Sequence, residues 1–190
     1  VIVGKSVTID ELLNEEGYSA VFIGSGAGLP KFMGIPGENA NGVFSANEFL
    51  TRVNLMKAFK EEYHTPVKVG KRVAVVGGGN VAMDAARTAK HYGAKNVKVI
   101  YRKDFEHMTA TKVEINDAKE EGVKFELFKS PVEIVDEGVV FIDTKIIEED
   151  GKTKMINIEG SEKLIKADSV IIAVSQSPKN NIVSNTENIE

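Results

Sequence analysis

Three consecutive glycines, Gly77, Gly78 and Gly79, constrain the fold of this chain more than any other feature. They follow a segment at residues 71–76 that reads as a strand, with four apolar residues at its end, and they lead into an amphipathic segment that ends near Gly93. With Ala82 they fit the pattern G-x-G-x-x-A in the strand–turn–helix context of a dinucleotide fingerprint. The first glycine permits a tight turn, the second lets a pyrophosphate approach the backbone, and free amides at the helix start bind phosphates. A glycine-rich turn of another α/β fold is the alternative.

The rest of the chain alternates strands and helices around this turn. The pattern predicts further elements in this order: a strand at 96–101, a helix at 111–121, a strand at 123–128 and a buried strand at 168–174. This order predicts an α/β fold with a parallel sheet and helices on both faces. Between 128 and 168 the hydrophobic period becomes two, which predicts an antiparallel β-meander. Its predicted strands are 132–135, 138–142 and 154–158, and the predicted turns between them are 136–138 and 149–151.

The segment before the fingerprint has its own elements. The pattern predicts a short strand at 1–3, a helix that starts at Thr8 with a capping box to Glu11, and a buried strand at 19–24. A loop rich in Gly and Pro follows at 24–42, and Ser45 caps a helix that we expect to reach residue 60.

Two cations, Arg102 and Lys103, follow the second strand of the nucleotide unit. An NAD-binding unit usually has Asp or Glu there, whereas Arg grips a 2′-phosphate with two hydrogen bonds. The pair therefore favours NADP(H) over NAD(H). Asp104 leaves an alternative open, in which its carboxylate binds the ribose. In a second alternative, Arg102 and Lys103 are only a solvated charge pair at the end of a strand.

The composition excludes several classes of site. The 190-residue chain has no Cys, which excludes disulfides, thiolate metal sites and thiol nucleophiles, and its net charge of −4 argues against general affinity for nucleic acid. No apolar run approaches the roughly 20 residues of a membrane span, so we expect a cytoplasmic globular protein. The three histidines show no ligand spacing, so we predict neither a metal site nor a catalytic side chain, and we expect structural roles for Asp84 and Arg87.

Several linked motifs resemble the flavoprotein family of the glutamate synthase small (beta) subunit. This family includes the flavin-containing half of dihydropyrimidine dehydrogenase and the NADPH-dependent ferredoxin oxidoreductases. The matching stretches are 20–27, 35–38, 42–50, 77–87, 99–103 and 168–178. The resemblance implies Rossmann-like FAD- and NAD(P)-binding domains, with the second inserted into the first, and electron transfer from NADPH to FAD and onward through iron–sulfur clusters.

The resemblance also implies roles for particular residues. Carried over position by position, the phosphate contacts are Gly78, Gly79, Asn80 and Val81, the 2′-phosphate contacts are Arg102 and Lys103, and the residues beside the cofactor are Ala173, Val174 and Ser175. Two positions depart from the family pattern: Ser175 replaces a usual Gly, and Thr109 replaces a usual Pro.

The family's flavin fingerprint and cluster cysteines do not occur in this sequence. The chain also begins without Met, so we expect it to be part of a longer protein. The expected division is a flavin-domain remnant with a connecting helix at 1–65, an NAD(P)H-binding domain at 66–178, and a polar tail or linker at 179–190 back to a missing flavin segment. We expect the chain to bind NADP(H) but not FAD, to be inactive alone, and to work with the missing FAD and iron–sulfur regions and a large catalytic subunit.

The expected function is that of the NADP(H)-binding part of an oxidoreductase of the glutamate synthase small subunit type. One alternative is an NAD(P)H-dependent ferredoxin or sulfide oxidoreductase subunit of the same architecture. The other is a stand-alone nucleotide-sensing module without enzymatic activity.

Overall fold

A computed structural model describes residues 2–149, 152–179, 181–184 and 186. The chain divides into two compact units, one of residues 1–29 and 176–190 and one of residues 30–175. The described helices are α1 (Ile9–Asn14), α2 (Ala46–Leu50), a π-helical turn (Thr51–Leu55), α3 (Asn80–His91), α4 (Lys112–Glu120) and α5 (Asn181–Ser184). The described strands are β1 (Leu29–Pro30), β2 (Val43–Ser45), β3 (Arg72–Val76), β4 (Asn96–Tyr101), β5 (Lys124–Leu127), β6 (Lys129–Val135), β7 (Gly138–Glu149), β8 (Lys152–Asn157), β9 (Lys163–Lys166), β10 (Ser169–Ile172) and β11 (Gln176–Ser177).

A five-stranded parallel sheet organises the unit of residues 30–175. Its order is β2-β10-β3-β4-β5, and every neighbouring pair is parallel. The register pairs Val76 with both Ile172 and Ile100. The three central strands therefore end at the same edge of the sheet, within one residue of one another.

The two faces of this sheet are covered by different layers. The helices α2, α3 and α4 pack over one face, where small side chains let α3 approach the strands closely. The fully buried alanines of that layer are Ala82, Ala85, Ala86, Ala89 and Ala118. The opposite face is covered by the meander, through Ile134, Val139 and Phe141. The predicted parallel sheet with helices and a meander is confirmed, but the meander takes the face that the prediction gave to further helices.

The meander is built around the long strand β7. Its first half pairs antiparallel with β6 and β9, and its second half pairs with β8. The predicted turn at 149–151 extends into residues outside those that the structure describes. The strand β9 was not predicted, because Leu164 and Ile165 are its only apolar residues.

In the unit of residues 1–29 and 176–190, one predicted helix is confirmed and two predicted strands are not found as predicted. Helix α1 has the predicted capping box, in which the Thr8 hydroxyl accepts from the Glu11 amide and the Glu11 carboxylate accepts from the Thr8 amide. The predicted buried strand at 19–24 is wrong: no described residue pairs with it, and the Phe22 side chain is 95% exposed. An apolar run without hydrogen-bonded neighbours cannot be a buried strand. The predicted strand at 1–3 is reduced to one bridge between Val3 and Val7, and Val1 lies outside the described residues.

The predicted helix from Ser45 to residue 60 is shorter than expected. Ser45 caps α2 as predicted, by accepting a hydrogen bond from the Glu48 amide. The helix then widens into the π-helical turn and ends at Leu55. Phe49 and Val53 are buried as their spacing indicates, but Phe59 is 59% exposed because the helical register does not extend to it.

Candidate functional site

Three loops meet at the carboxyl edge of the parallel sheet. The glycine turn leaves β3, the segment 102–110 leaves β4, and the segment 173–175 leaves β10. The sequence continues from β3 to β4 on one side, whereas β10 enters the sheet on the other side of β3. Such a switch point in strand order leaves a crevice at the carboxyl ends of the strands, which is the usual ligand position in open α/β sheets.

Gly77 begins the tight turn after β3. Its amide donates to the Ile100 carbonyl at 3.0 Å, and its φ is +147°. A Cβ at this position would lie 2.3 Å from the Ala173 carbonyl oxygen. The close approach of β3 and β10 at this point therefore requires glycine.

Gly79 and the first residues of α3 form the end of the glycine turn at which the helix begins. Gly79 is the N-cap of α3 and makes no side-chain cap, so the first amides of the helix, including those of Asn80 and Val81, have no intrahelical acceptor. The Asn80 side chain accepts a hydrogen bond from the Thr111 amide at 2.8 Å, which ties α3 to α4. What the helix start offers to an anion is therefore backbone N–H and the positive end of the helix dipole.

Gly78 is buried under the ring of Tyr101. A Cβ at Gly78 would lie 2.6 Å from a Tyr101 ring carbon, and the Gly78 carbonyl accepts a hydrogen bond from Ala110 at 3.0 Å. Burial raises the pKa of Tyr101, and its hydroxyl donates to the His107 carbonyl at 2.7 Å. Tyr101 thus fastens the loop after β4 to the glycine turn. The sequence showed an aromatic residue directly before Arg102, but not this contact.

Arg102 and Lys103 lie at the start of this loop. In the described part of the chain, neither side chain has a hydrogen-bond or ion-pair partner. Their backbone is nevertheless held: the Arg102 carbonyl accepts from the Thr144 hydroxyl at 2.7 Å, and the Lys103 carbonyl accepts from the Phe128 amide at 3.3 Å. Two cations on a fixed backbone are thus available to an anion.

Asp104, which the sequence offered as an alternative ribose ligand, is engaged elsewhere. Its Oδ1 lies 2.6 Å from His107 Nδ1 and accepts from the His107 amide at 3.0 Å. The hydrogen bond to the His107 side chain, with the backbone bonds and the nearby charge, lowers the pKa of Asp104 below its ordinary value. The Asp104 carboxylate thus stabilises the loop after β4 through contacts within that loop.

The loop after β10 brings the remaining predicted residues to the same edge. The Ala173 amide donates to the Val76 carbonyl at 2.8 Å, so Ala173 lies directly against the glycine turn. Val174 is half-buried and Ser175 is exposed. Ser175 has a φ of +125°, and its carbonyl accepts from the Lys31 amide at 3.0 Å. All ten residues that the sequence singled out therefore lie in or beside the three loops of this edge.

Arg87 joins α3 to α4 below the site, as its predicted structural role requires. Its guanidinium contacts Glu121 at 2.7 Å, Glu114 at 3.0 Å and Asp117 at 3.4 Å. The hydrogen bond from Arg87 lowers the pKa of Glu121. Asp84, one turn earlier on α3, has a raised pKa because burial and the charge of Glu114 outweigh the attraction of Arg87. This network holds the helix whose N-terminus faces the crevice.

Neither a metal cluster nor a membrane span is found in the regions that the structure describes. Within them, no three His, Cys, Asp or Glu side chains are grouped as metal ligands. His91 instead contacts Glu121 at 3.2 Å, and His107 contacts Asp104. The helices of the same regions are all too short or too polar to cross a bilayer.

Comparisons with known proteins agree with this geometry. A family model described as pyridine nucleotide-disulphide oxidoreductase matches residues 2–190. The chain is 39% identical over 187 residues to the putative oxidoreductase AegA of Escherichia coli K12, which covers 93% of this chain and 28% of AegA. It is 37% identical over 189 residues to the glutamate synthase (NADPH) small chain of the same organism, covering 94% of this chain and 40% of that protein. The resemblance that the motifs indicated is confirmed, and the chain spans less than half the length of these relatives.

The fold of this chain also matches that of an enzyme of known structure. Mycobacterium tuberculosis FprA, in its structure in complex with NADPH, superposes with a TM-score of 0.73 at 20% identity, covering 93% of this chain and 53% of FprA. At this identity the likeness concerns the fold. It confirms the predicted Rossmann-like class.

Proposed function

Because the chain belongs to the pyridine nucleotide-disulphide oxidoreductase family, we propose that the carboxyl edge of its parallel sheet binds NADP(H) for hydride transfer to a flavin. We assign nucleotide binding to residues 66–178, the role of a flavin-domain remnant and connecting helix to residues 1–65, and that of a linker to residues 179–190. The chain's own contribution is to bind and orient the nucleotide.

The unpaired cations beside the glycine turn are the observation that carries this proposal. Arg102 and Lys103 follow β4, the strand adjacent to β3, and a carboxylate would be expected there in an NAD-specific unit. Asp104, the nearby acid, is already bound to His107. The positive charge is therefore free for a 2′-phosphate, which NADP(H) has and NAD(H) lacks.

Each loop has a defined task in this proposal. The amides at the start of α3 hold the pyrophosphate, with Gly78 and Gly79 shaping the turn around it. Arg102 and Lys103 hold the 2′-phosphate. Ala173, Val174 and Ser175 lie on the other side of β3, alongside the nicotinamide half of the dinucleotide. No side chain of the chain is assigned a proton-transfer step, because a nicotinamide passes a hydride to a flavin directly.

The whole protein is proposed to be an oxidoreductase of the glutamate synthase small subunit type that works in the cytoplasm. The similarity to the E. coli glutamate synthase small chain supports this assignment. The FAD site, the iron–sulfur clusters and the contact with a large catalytic subunit are assigned to sequence beyond this chain, whose own residues include no Cys to ligate a cluster. The isolated chain is expected to bind NADPH without turning it over.

Calorimetric titration with NADPH and NADH tests the proposal. We expect NADPH to bind at least about tenfold more tightly than NADH, since one charge-assisted hydrogen bond contributes about 1.5–3 kcal/mol. Arg102→Ala should remove most of that preference and leave NADH affinity unchanged. Lys71→Ala is the matched control, because this exposed cation lies at the opposite edge of the sheet. Equal affinities in the unmodified chain, or an unchanged NADPH affinity in Arg102→Ala, would refute the 2′-phosphate assignment.

A further inference from the structure

Thr144 is a buried polar residue of the meander whose hydroxyl reaches the loop that carries the two cations. Its side chain is 3% exposed and lies where β7 stops pairing with β6 and starts pairing with β8. The hydroxyl donates to the Arg102 carbonyl at 2.7 Å. Burying a hydroxyl costs free energy unless it is hydrogen-bonded, and valine has a similar shape and suits a strand without that cost. The hydrogen bond to Arg102 is therefore the physical reason for a threonine at this position.

A second path of hydrogen bonds joins the same segments through Phe128, the single residue between β5 and β6. The Thr144 amide donates to the Phe128 carbonyl at 2.8 Å, and the Phe128 amide donates to the Lys103 carbonyl at 3.3 Å. Phe128 has a φ of +55°, a left-handed conformation that a bulky residue rarely adopts. Such strain persists only where the surrounding structure fixes the residue, as these two hydrogen bonds do. Strand β7 thus holds the backbone of both cations from one residue, Thr144.

The position of the Arg102 backbone matters to a phosphate more than to the rest of a nucleotide. The register between β4 and β5 ends at Tyr101, so Arg102 lies just beyond the regular ladder. A guanidinium binds a phosphate through paired hydrogen bonds of fixed geometry, which depend on where the backbone holds the side chain. The glycine turn and the loop after β10 are held by other contacts, from Gly77 to Ile100 and from Ala173 to the end of β3. Loss of the Thr144 anchor should therefore disturb the cations and leave the other two loops in place.

We propose that Thr144 is a positioning residue for the 2′-phosphate and that the meander, through Thr144, sets the preference for NADP(H) over NAD(H). The inference rests on the proposed function and adds a residue that acts on the nucleotide through Arg102. It gives the meander a task besides covering one face of the sheet, because β7 holds Arg102 where the phosphate needs it. NAD(H) lacks the 2′-phosphate, so its binding should not depend on the Thr144 hydroxyl.

Two substitutions at Thr144 separate the hydroxyl from the shape of the side chain. Thr144→Val removes the hydroxyl and suits a strand, so the fold is retained; Thr144→Ser keeps the hydroxyl and is the matched control. In calorimetric titrations we expect Thr144→Val to bind NADPH about fivefold more weakly, the effect of losing one neutral hydrogen bond, and to bind NADH like the unmodified chain. Thr144→Ser should retain the affinity for NADPH. An unchanged NADPH affinity in Thr144→Val, or an equal loss for both nucleotides, would overturn the inference and leave the proposed function intact.

A double substitution tests whether Thr144 acts through Arg102. If it does, adding Thr144→Val to Arg102→Ala should cause little further loss of NADPH affinity, because the side chain that Thr144 positions is already absent. Losses that add in the double variant would show two independent roles and would overturn the inference. The absence of any preference for NADPH over NADH in the unmodified chain would instead refute the proposed function, and the inference with it.

Amide relaxation measured without nucleotide tests the anchor itself. We expect the order parameter of the Arg102 amide to be near the rigid-backbone value of about 0.85 in the unmodified chain and in Thr144→Ser, and to be lower in Thr144→Val. The Gly79 amide, in the glycine turn, is the internal control and should have the same order parameter in all three proteins. An equal order parameter at Arg102 in Thr144→Val and the unmodified chain would overturn the inference, whatever the nucleotide affinities.

Discussion

Ser175 adopts a backbone conformation that suits glycine alone. Its φ of +125° lies in a region where a Cβ causes strain of about 1–3 kcal/mol. The residue follows β10 at the candidate site, and its carbonyl is fixed by the Lys31 amide. The family motif places glycine at this position, and the structure shows why.

Ser175→Gly is therefore predicted to stabilise the protein. We expect the free energy of unfolding to rise by about 1 kcal/mol, because the relief of strain exceeds the entropy that glycine adds to the unfolded chain. Urea unfolding measures this, with Ser175→Ala as the control that removes the hydroxyl and keeps the Cβ. A midpoint for Ser175→Gly equal to or below that of Ser175→Ala would contradict the strain account.

Gly77 is required by contact as well as by conformation. Gly77→Ala would bring a methyl group within 2.3 Å of the Ala173 carbonyl, so we predict a loss of at least about 3 kcal/mol in stability and of NADPH binding. Gly93→Ala is the matched control: Gly93 also has a positive φ, of +108°, but nothing lies within 4 Å of its Cβ position. We expect Gly93→Ala to lose only about 1–2 kcal/mol and to retain binding. Similar losses in the two variants would mean that the approach of β3 and β10 is not the constraint.

At the scale of elements, α3 depends on its ion pairs with α4. Arg87→Met keeps much of the apolar stem and removes the charge, so we predict a loss of about 2 kcal/mol in the free energy of unfolding. The amides at the start of α3 should also bind phosphate less tightly, because the helix is less firmly held. Lys124→Met, at an exposed cation of β5, is the control and should change neither quantity. Wild-type stability in Arg87→Met would show that the three carboxylates contribute nothing through Arg87.

Ion pairs in several parts of the chain, Arg87–Glu121 among them, set the response to acid. The folded-state pKa values of Asp104, Glu121, Asp143 and Asp168 are all lowered from ordinary values of 3.8 for Asp and 4.5 for Glu. A carboxyl group whose pKa is lower in the folded state contributes stability at pH values above its unfolded-state pKa. This contribution is lost as the pH falls through its folded-state pKa. We therefore predict a net fall in the free energy of unfolding below about pH 4.5, because the four lowered groups outweigh Asp84, whose raised pKa acts in the opposite direction. In Arg87→Met the free energy of unfolding should fall less steeply with decreasing pH, since Glu121 no longer contributes. Urea unfolding at a series of pH values measures this, and an equal pH dependence in the variant and the unmodified chain would contradict it.

The elements that the sequence predicted well are those whose partners are close in the chain. The bounds of β4 match the prediction, and α3 ends before Gly93, because a buried strand, a glycine turn and an amphipathic helix are each specified locally. The run at 19–24 looks equally apolar, yet whether it becomes a strand depends on neighbours that the run itself does not encode. The contact of Tyr101 with Gly78 was not predictable for the same reason, since it depends on the register with which β3 pairs with β4.

At the scale of the whole molecule, the order of the strands assembles the site. Gly77, Arg102 and Ala173 are separated by up to 96 residues in sequence, and the parallel register places all three just beyond one edge of the sheet. The sequence could identify each group through its motif. Their common edge follows from β10 pairing next to β3, a strand order that the alternating pattern did not predict and the structure establishes.

The position of the nucleotide on the sheet is the central claim, and amide chemical shifts during titration with NADP⁺ test it most directly. We predict that the largest changes occur at Gly78, Gly79, Asn80 and Arg102, at the carboxyl edge, and that the opposite edge, at Arg72 and Asn96, is unaffected. Saturable changes centred on Arg72 and Asn96, or no change at the glycine turn, would contradict the account.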